Sequence, residues 1–312
     1  MKAKLLGESG FDRVTTFLGT TFSSPTHWPG WNLIVSKHFG TRFSYLVTEE
    51  HGVISGICPV HEVRDGLRVS WHSGQFHFIP YGGWITDIAL PLPPARIRIP
   101  INGRFECFSL PLAGLSGEPG HKSGHSFHTL VTDLRREEGE IWASSIDSKR
   151  RNMIRKAVRS GVSVVSGEEV LGDFCRLYSN TARNNRLKFL PEEFMKEMIS
   201  LAGDVRFVPL VAYYGGKPCG ALGLIHDKDY SIYWLGATER ESEGMGQGEM
   251  LQWEAIRYSR NRGCRFYDLC YINKERLPGV YGFKKGFSNL EVAVPYTNRK
   301  RFLYRVLNKL QG

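Results

Sequence analysis

The chain lacks most of the features that mark metalloproteins, secreted proteins and membrane proteins. Its six cysteines are scattered without a CxxC pair, so neither a zinc site nor a disulfide framework is predicted. His121, His125 and His128 have no acidic or cysteine companions, which argues against a metal site. No apolar run approaches the roughly 20 residues that cross a bilayer, and MKAKLLGESGFDR has no apolar stretch of signal-peptide length. We therefore expect a cytoplasmic protein with reduced thiols, no bound metal and no transmembrane segment.

Positive charge is in excess over negative charge. The 312 residues include 41 Lys and Arg against 31 Asp and Glu, a formal net charge of +10. Such a surface favours anionic partners, among them RNA, nucleotides, coenzyme A and anionic lipid headgroups. The charge is spread along the chain, which equally fits a basic protein with no polyanion partner. Hydrophobic residues make up 41% of the chain, enough for one large or two ordinary domains.

Two segments share one spacing and predict an internal repeat. LVTEEHGVISG ends at Gly56, and LVAYYGGKPCG ends at Gly220, offset by 164 residues. Each segment is typical of a strand, a tight turn at its first glycine and a second strand. A third strand containing tryptophan follows in both cases, LRVSWHS and YSIYWLGAT. We predict two copies of one α/β unit, divided into residues 1–135 and 136–312.

A basic helix is predicted in the second copy. Apolar residues from Trp142 to Val158 recur at helical spacing, and lysines and arginines crowd the same stretch. Arg151 and Arg155 are four residues apart and therefore share a face. The face is either a solvated surface or a cationic wall for a phosphate-bearing substrate.

A glycine-rich turn follows the strand that contains Trp234. Gly244, Gly246 and Gly248 alternate immediately before a helical pattern. A strand, a glycine turn and a helix N-terminus together form an anion site, because backbone N–H groups and the helix dipole favour negative charge. A flexible loop is the alternative. In the next strand, Asp268 lies among apolar residues and either pairs with a lysine structurally or holds a substrate amine.

The segment VYGFKKGF, residues 280–287, is typical of a buried strand or turn but carries two lysines. Lys284 and Lys285 lie between Phe283 and Phe287. An amine that attacks an ester or thioester generates an oxyanion, which a preorganised cation in a dry site stabilises. No serine or cysteine triad spacing is visible. A lysine flanked by phenylalanines meets this requirement without a covalent intermediate.

The order of these landmarks resembles the FemAB/FemX family of non-ribosomal peptidyltransferases, which are tandem GNAT-fold proteins. HFIPYGGW, residues 77–84, is similar to the Pro-aromatic-Gly-Gly segment of the family's first domain. The resemblance covers nearly the whole chain. It implies an α/β fold of two tandem GNAT-like domains, each a mixed, mostly antiparallel sheet flanked by helices.

The resemblance also implies a reaction, in which an activated acyl or aminoacyl group is transferred to an amine of an envelope precursor. The expected acceptor is a nucleotide-linked or lipid-linked amino sugar or muropeptide. Acyl-CoA or aminoacyl-tRNA would be the co-substrate, with no permanently bound cofactor. The family's phenylalanine-lysine pair corresponds to Phe283 and Lys284, with Lys284 at the reaction centre. The sequence does not identify the base: Asp268 is one candidate, and the substrate itself is the other.

Two further groups of residues are expected to bind the substrates. Contacts with the acceptor are assigned to Tyr81, Gly82, Gly83, Arg151, Arg155, Trp234 and Tyr281. Contacts with the donor phosphate are assigned to Gly244, Gly246, Gln247, Gly248 and Lys285.

A non-catalytic protein that binds RNA or a membrane surface is the alternative from a different class. The final segment, NRKRFLYRVLNKL, is a basic amphipathic pattern that would suit peripheral contact with anionic lipid. Its apolar positions would equally serve as a stripe that faces the core. Transfer rather than binding alone is the interpretation that the lysine-phenylalanine segment favours.

Overall fold

The fold divides into two compact units. A computed structural model describes residues 2–86, 97–111, 127–201, 203–239 and 244–300. The first unit comprises the chain up to His128 and the segment from Val292 onward, and the second unit is Thr129–Glu291. The sequence-based division at residue 135 lies slightly later and places the last segment in the second domain.

The described part of the first unit is a mixed sheet with two α-helices. Its helices are α1 (Phe11–Thr20) and α2 (Pro29–Phe39). Its strands are β1 (Lys4–Leu6), β2 (Arg42–Glu50), β3 (Val53–Asp65), β4 (Arg68–Ser73), β5 (Ile85–Thr86), β6 (Arg104–Phe108) and β14 (Tyr296–Lys300). The order across the sheet is β1-β2-β3-β4-β6-β14, and β5 pairs with β3. β14, which follows the whole second unit in the sequence, therefore pairs with β6 in the first sheet.

The second unit repeats this plan with more helices. Its helices are α3 (Glu138–Ser144), α4 (Ser148–Arg159), α5 (Leu171–Asn184), α6 (Glu192–Ile199), α7 (Gln247–Asn261) and α8 (Pro278–Lys285). Its strands are β7 (His128–Asp133), β8 (Ser163–Ser166), β9 (Arg206–Tyr214), β10 (Lys217–His226), β11 (Tyr230–Thr238), β12 (Phe266–Asp268) and β13 (Leu290–Ala293). The order is β13-β7-β12-β11-β10-β9-β8.

The internal repeat is confirmed by the hydrogen-bond register of the two sheets. Thr48 pairs with Gly56 in the first unit, and Ala212 pairs with Gly220 in the second. The turn glycines Gly52 and Gly216 have φ of 82° and 74°, a conformation that glycine adopts without steric cost. β4 and β6 run parallel, as do β11 and β12. Most other neighbouring strands are antiparallel, so the predicted fold class is confirmed.

The basic segment forms two helices rather than the single predicted one. α3 ends at Ser144, and α4 starts at Ser148. Asp147 is the N-cap of α4, and its side chain accepts a 2.7 Å hydrogen bond from the Arg150 N–H. An aspartate in this N-cap position satisfies an N–H group that would otherwise lack a partner. Ile146, Ile154 and Ala157 nevertheless pack on one core across this break. Val158, the last residue of the predicted apolar pattern, is 57% exposed.

The prediction of a strand or turn for VYGFKKGF is wrong, because the segment lies in helix α8 and the turn that follows it. Pro278 lies in the first turn of the helix, where its fixed φ is favourable and its missing N–H costs nothing. Phe283 and Phe287 are four residues apart, and their ring centroids are 5.3 Å apart. That spacing is helical, and the alternating pattern of a strand is absent.

Two further findings concern membranes and metals. Within the described ranges, no helix has the length and hydropathy needed to span a membrane. The same part of the chain contains no cluster of three or more His, Cys, Asp or Glu side chains suited to a metal ion. His121, His125 and most of the predicted C-terminal amphipathic helix, residues 301–312, lie outside the described residues.

Candidate functional site

The central feature of the second unit is a gap between two parallel strands. β11 and β12 pair over three residues each, ending with Ile232 opposite Asp268. β11 then continues to Thr238 while paired with β10 on its other edge. Beyond Ile232, no strand among the described residues pairs with the edge of β11 that faces β12. We call this gap the strand opening; it is bounded by residues 233–238 of β11 and by the chain that follows Asp268.

Lys284 places its ammonium group at the strand opening. It lies in the last turn of α8, and its Nζ donates a 3.3 Å hydrogen bond to the carbonyl oxygen of Cys270. The same Nζ lies 5.3 Å from the centroid of the Tyr233 ring, the first β11 residue beyond the paired region. Lys284 is only 9% exposed. This carbonyl is its one hydrogen-bond partner among the described residues, so two N–H groups are available for a ligand.

The burial of Lys284 changes its protonation equilibrium. Loss of hydration lowers the pKa of this lysine below its usual 10.5, while the charges of Cys270 and Asp268 oppose the change. Burial raises the pKa of Tyr233 to about 12, so its ring presents a neutral hydroxyl and a negative face. A weakly hydrated ammonium against an aromatic face is suited to stabilising a new negative charge.

Asp268 is enclosed by hydrogen-bond donors. Its carboxylate accepts from the hydroxyl of Tyr230 at 2.6 Å, the hydroxyl of Thr129 and the backbone N–H of Cys270 at 2.6 Å. The side chain is fully buried. Of the two roles left open by the sequence, this arrangement favours the structural one.

Cys270 has an unusual backbone conformation beside Lys284. Its φ is 62°, in the left-handed region that residues other than glycine adopt at a cost. The turn brings its N–H towards Asp268 and its carbonyl towards Lys284. Nothing in the sequence indicates this conformation, because cysteine has no preference for it.

A β-bulge determines which aromatic residue of β11 faces the strand opening. Leu224 pairs with Tyr233 and Gly223 pairs with Leu235, so Trp234 is the extra residue. Trp234 packs on Phe194 and Phe207, at 6.2 Å and 5.8 Å between ring centroids. Tyr233, which the sequence analysis missed, contacts Lys284.

Gly236 makes room for Tyr233. A Cβ atom at Gly236 would lie 2.0 Å from the Tyr233 hydroxyl oxygen. This position of β11 therefore has no space for a side chain while Tyr233 occupies its observed place.

Phe283 and Arg150 together connect three helices. The guanidinium of Arg150 lies 4.8 Å from the Phe283 ring centroid and donates to Glu249 at 2.8 Å and to the Gly282 carbonyl at 3.2 Å. Arg150 belongs to α4, Glu249 to α7 and Phe283 to α8. These contacts fix the helix that carries Lys284 against the start of α7.

The predicted order of strand, glycine turn and helix is present: the strand is β11, the turn is residues 244–246 and the helix is α7. Gly244 and Gly246 have φ of 84° and 82°. A Cβ atom at Gly246 would lie 2.4 Å from the Met153 carbonyl oxygen, so this glycine allows α7 to approach α4. Lys156 donates to the Gly244 carbonyl at 2.7 Å. Gln247 begins the helix and is buried, and Gly248 follows it.

Lys285 and Tyr281 both contact Glu291. The Tyr281 hydroxyl donates to Glu291 at 2.8 Å, and the Lys285 ammonium lies 3.2 Å from the same oxygen. Lys285 thus has an acidic partner of its own, and among the described residues no hydrogen bond connects it to the glycine turn.

The two predicted arginines of α4 have different environments. Arg151 donates to three backbone carbonyls at the end of α3, those of Trp142, Ala143 and Ile146. Arg155 is exposed and lies 5.6 Å from the Trp142 ring. With Arg159 and Trp253 it lines a groove of about 470 Å³ on the second unit.

In the first unit, the predicted residues Tyr81, Gly82 and Gly83 are buried. Gly82 donates to Phe108 at 2.9 Å and accepts from Leu110 at 3.0 Å, which places it beside the end of β6. The Gly83 N–H donates to the Ser73 hydroxyl at the end of β4. The gap between β4 and β6 is therefore filled by the protein's own chain.

Comparisons with known proteins agree with this architecture. Residues 148–285 match the family described as the acetyltransferase (GNAT) domain. The crystal structure of FemX superposes with a TM-score of 0.67 at 12% identity, covering 91% of this chain and 93% of that chain. A search of the curated proteins found no match to the sequence.

Two further solved structures share the fold. The C-terminal domain of a putative lysylphosphatidylglycerol synthetase from Agrobacterium fabrum gives a TM-score of 0.56 at 12% identity, covering 97% and 95% of the two chains. A conserved protein of unknown function from Bacteroides thetaiotaomicron gives 0.58 at 10% identity, covering 96% and 99%. The predicted FemX-like fold with a GNAT domain is confirmed.

Proposed function

The chain has a FemX-like fold and carries an acetyltransferase (GNAT) domain, and from this premise we propose that it transfers an activated acyl or aminoacyl group to an amine. The acceptor is an amine of a nucleotide-linked or lipid-linked envelope precursor, such as an amino sugar or a muropeptide. The reaction proceeds by direct attack, without a covalent enzyme intermediate. The proposed setting is the cytoplasm.

The observation that carries this proposal is the buried ammonium of Lys284 at the strand opening. When the acceptor nitrogen attacks the acyl carbonyl carbon, the carbonyl oxygen becomes negatively charged. The two N–H groups of Lys284 that have no partner among the described residues would donate to this oxygen. Burial increases the energy of that interaction, because little water competes for the charge.

The remaining steps require proton transfer and departure of the leaving group. The attacking nitrogen loses a proton to water or to the substrate, and the C–S or C–O bond of the donor breaks. The thiol or hydroxyl leaves after it takes up a proton. Asp268 is not assigned as the base, because its carboxylate already accepts at least three hydrogen bonds.

The donor binds in the second unit in this proposal. The glycine turn at Gly244 and Gly246 lies between β11 and the start of α7, where N–H groups and the helix dipole favour a phosphate. Acyl-CoA is the donor that the GNAT domain favours. An aminoacyl-tRNA ester is the second donor to test, since FemX and a putative lysylphosphatidylglycerol synthetase share the fold.

The acceptor phosphate is assigned to the exposed arginines of α4. Arg155 and Arg159 line the groove that also contains Trp142 and Trp253. Arginine binds phosphate through paired N–H donors, and the indole rings offer a face to a nucleobase. Arg151 is left out of this site, because its guanidinium holds the end of α3.

A transfer assay tests the proposal directly. Acyl-CoA thioesters and charged tRNA are supplied separately with amino-sugar nucleotides and muropeptides, and free thiol or deacylated tRNA is measured together with the acylated product. We expect acceptor-dependent turnover with one donor class. Retention of RNA or liposomes with no transfer from either class would instead support the non-catalytic alternative.

A further inference from the structure

Two hydrogen bonds connect a buried carboxylate to Lys284 through a single residue. The Cys270 N–H donates to Asp268 Oδ1 at 2.6 Å, and the Cys270 carbonyl accepts from Lys284 Nζ at 3.3 Å. One left-handed residue thus directs its two backbone groups to two ionisable side chains.

The carboxylate is itself fixed from two other strands. Tyr230 of β11 donates its hydroxyl to Asp268 Oδ2, and Thr129 of β7 donates to Oδ1. All three side chains are fully buried. The position of Asp268 is therefore determined by β7, β11 and β12 together, and little movement is available to it.

We propose that Asp268 is a positioning residue for Lys284: it holds the left-handed turn at Cys270, and its negative charge balances the ammonium at the strand opening. The inference rests on the proposed function only in that Lys284 acts at the reaction centre. Asp268 does not touch the reacting atoms in this assignment.

The charges around Lys284 support this assignment. The ionisable groups that face it are Asp268 on β12, the Cys270 thiol after β12 and the Tyr233 hydroxyl on β11. Burial raises the pKa of Tyr230 and Tyr267, so these hydroxyls stay neutral. Cys270 and Asp268 are then the two groups whose charges oppose the effect of burial on the lysine, and Asp268 is the carboxylate of the two.

The test measures the protonation of Lys284 directly, with no substrate required. The full chain is labelled with lysine enriched in ¹³C at Cε, and the resonance that is lost in Lys284→Met is assigned to Lys284. The pH at the midpoint of its titration is then measured by NMR from pH 6 upward. In Asp268→Asn, which preserves the side-chain shape, we expect the Lys284 midpoint to fall by about one pH unit or more. Asp227→Asn is the matched control, since Asp227 is buried and caps the start of β11.

A purely structural role predicts a different result. Asp268→Asn would then lower the melting temperature and leave the Lys284 midpoint where it is in the wild type, as Asp227→Asn is expected to do. That result, in a protein that is still folded, overturns the proposal.

A second pair of variants tests the turn and leaves Asp268 intact, should Asp268→Asn not fold. Both variants remove the thiol beside Lys284, and Cys270→Gly suits a φ of 62°. Cys270→Val disfavours this conformation, so we expect its midpoint to lie below that of Cys270→Gly and transfer to be slower. Equal midpoints in both variants contradict the positioning role. If Lys284→Met retains full transfer activity, the proposed function fails, whereas the result of the titration still stands.

Discussion

Arg150 and Glu249 form a 2.8 Å ion pair in which each side chain is 12% exposed. The pair joins the first turns of α4 and α7, and Arg150 also lies over the ring of Phe283. Arg151 and Arg155 were predicted from the sequence as the functional arginines of α4. Arg150 is the arginine that connects α4 to the helix carrying Lys284.

Glu249→Gln is expected to destabilise the second unit by about 2–3 kcal/mol, because it leaves the Arg150 charge buried without an anion. Glu254→Gln on the same helix is the matched control. Glu254 pairs with Arg257, and their side chains are 26% and 40% exposed. A loss below about 1 kcal/mol is expected there. Urea unfolding compares the two variants, and equal losses would contradict the assignment.

Lys284→Met is expected to lower transfer by about 10² or more, because the oxyanion loses its charged donor. Lys285→Met is the adjacent control, since the Lys285 ammonium is exposed and contacts Glu291. Its turnover should stay within about threefold of the wild type. Steady-state rates with the active donor provide the measurement, and equal losses in both variants would remove the specific role of Lys284.

The pH dependence of stability follows from the burial of Lys284. Its folded-state pKa is lowered, so between that pKa and 10.5 the unfolded chain binds more protons than the folded protein. Stability contributed by this group therefore rises as pH increases through that window. Lys284→Met should be at least as stable as the wild type at pH 7, with the difference shrinking towards pH 10.5. Urea midpoints at several pH values test this, and a difference that grows with pH would refute it.

Gly246→Ala and Gly244→Ala distinguish two requirements of the glycine turn, a positive φ and space beside the Met153 carbonyl. Both positions have positive φ, which costs an alanine about 1–2 kcal/mol. Only at Gly246 would the new Cβ lie 2.4 Å from the Met153 carbonyl, whereas at Gly244 no atom of the described residues is within 4 Å. We expect Gly246→Ala to lose about 1–3 kcal/mol more than Gly244→Ala and to weaken donor binding. Unfolding and donor titrations provide the measurements.

Two buried histidines predict acid sensitivity of the first unit. Burial lowers the pKa of His27 to about 4 and that of His61 to about 3. The unfolded chain binds more protons below pH 6.5, so stability is lost as pH falls from 6.5 towards 4. His27 alone accounts for about 3 kcal/mol of this loss. In His27→Gln, the slope of the unfolding free energy against pH should be smaller over this range. His51 is exposed, and His51→Asn should leave that slope unchanged.

The repeat was predictable from the sequence because its signals are local. The glycines at positions 52 and 216 are needed at turns whatever surrounds them, and the flanking apolar strands pair by register. The glycine turn before α7 could be predicted from the sequence for the same reason. Lys284 was proposed as a site residue from its aromatic neighbours and the family resemblance, although its segment was assigned the wrong secondary structure.

Other features of the site depend on strands and helices that are distant in sequence. A bulge in β11 brings Tyr233, rather than Trp234, against Lys284. The packing of α4 on α7 places Arg150 against Glu249 and Phe283. The Cys270 N–H donates to Asp268, whose other hydrogen-bond donors, Thr129 and Tyr230, come from β7 and β11. The sequence by itself determined the repeated units and the local turns. The tertiary structure decided which side chains meet at the strand opening, because burial, bulges and helix crossings arise only when distant segments pack.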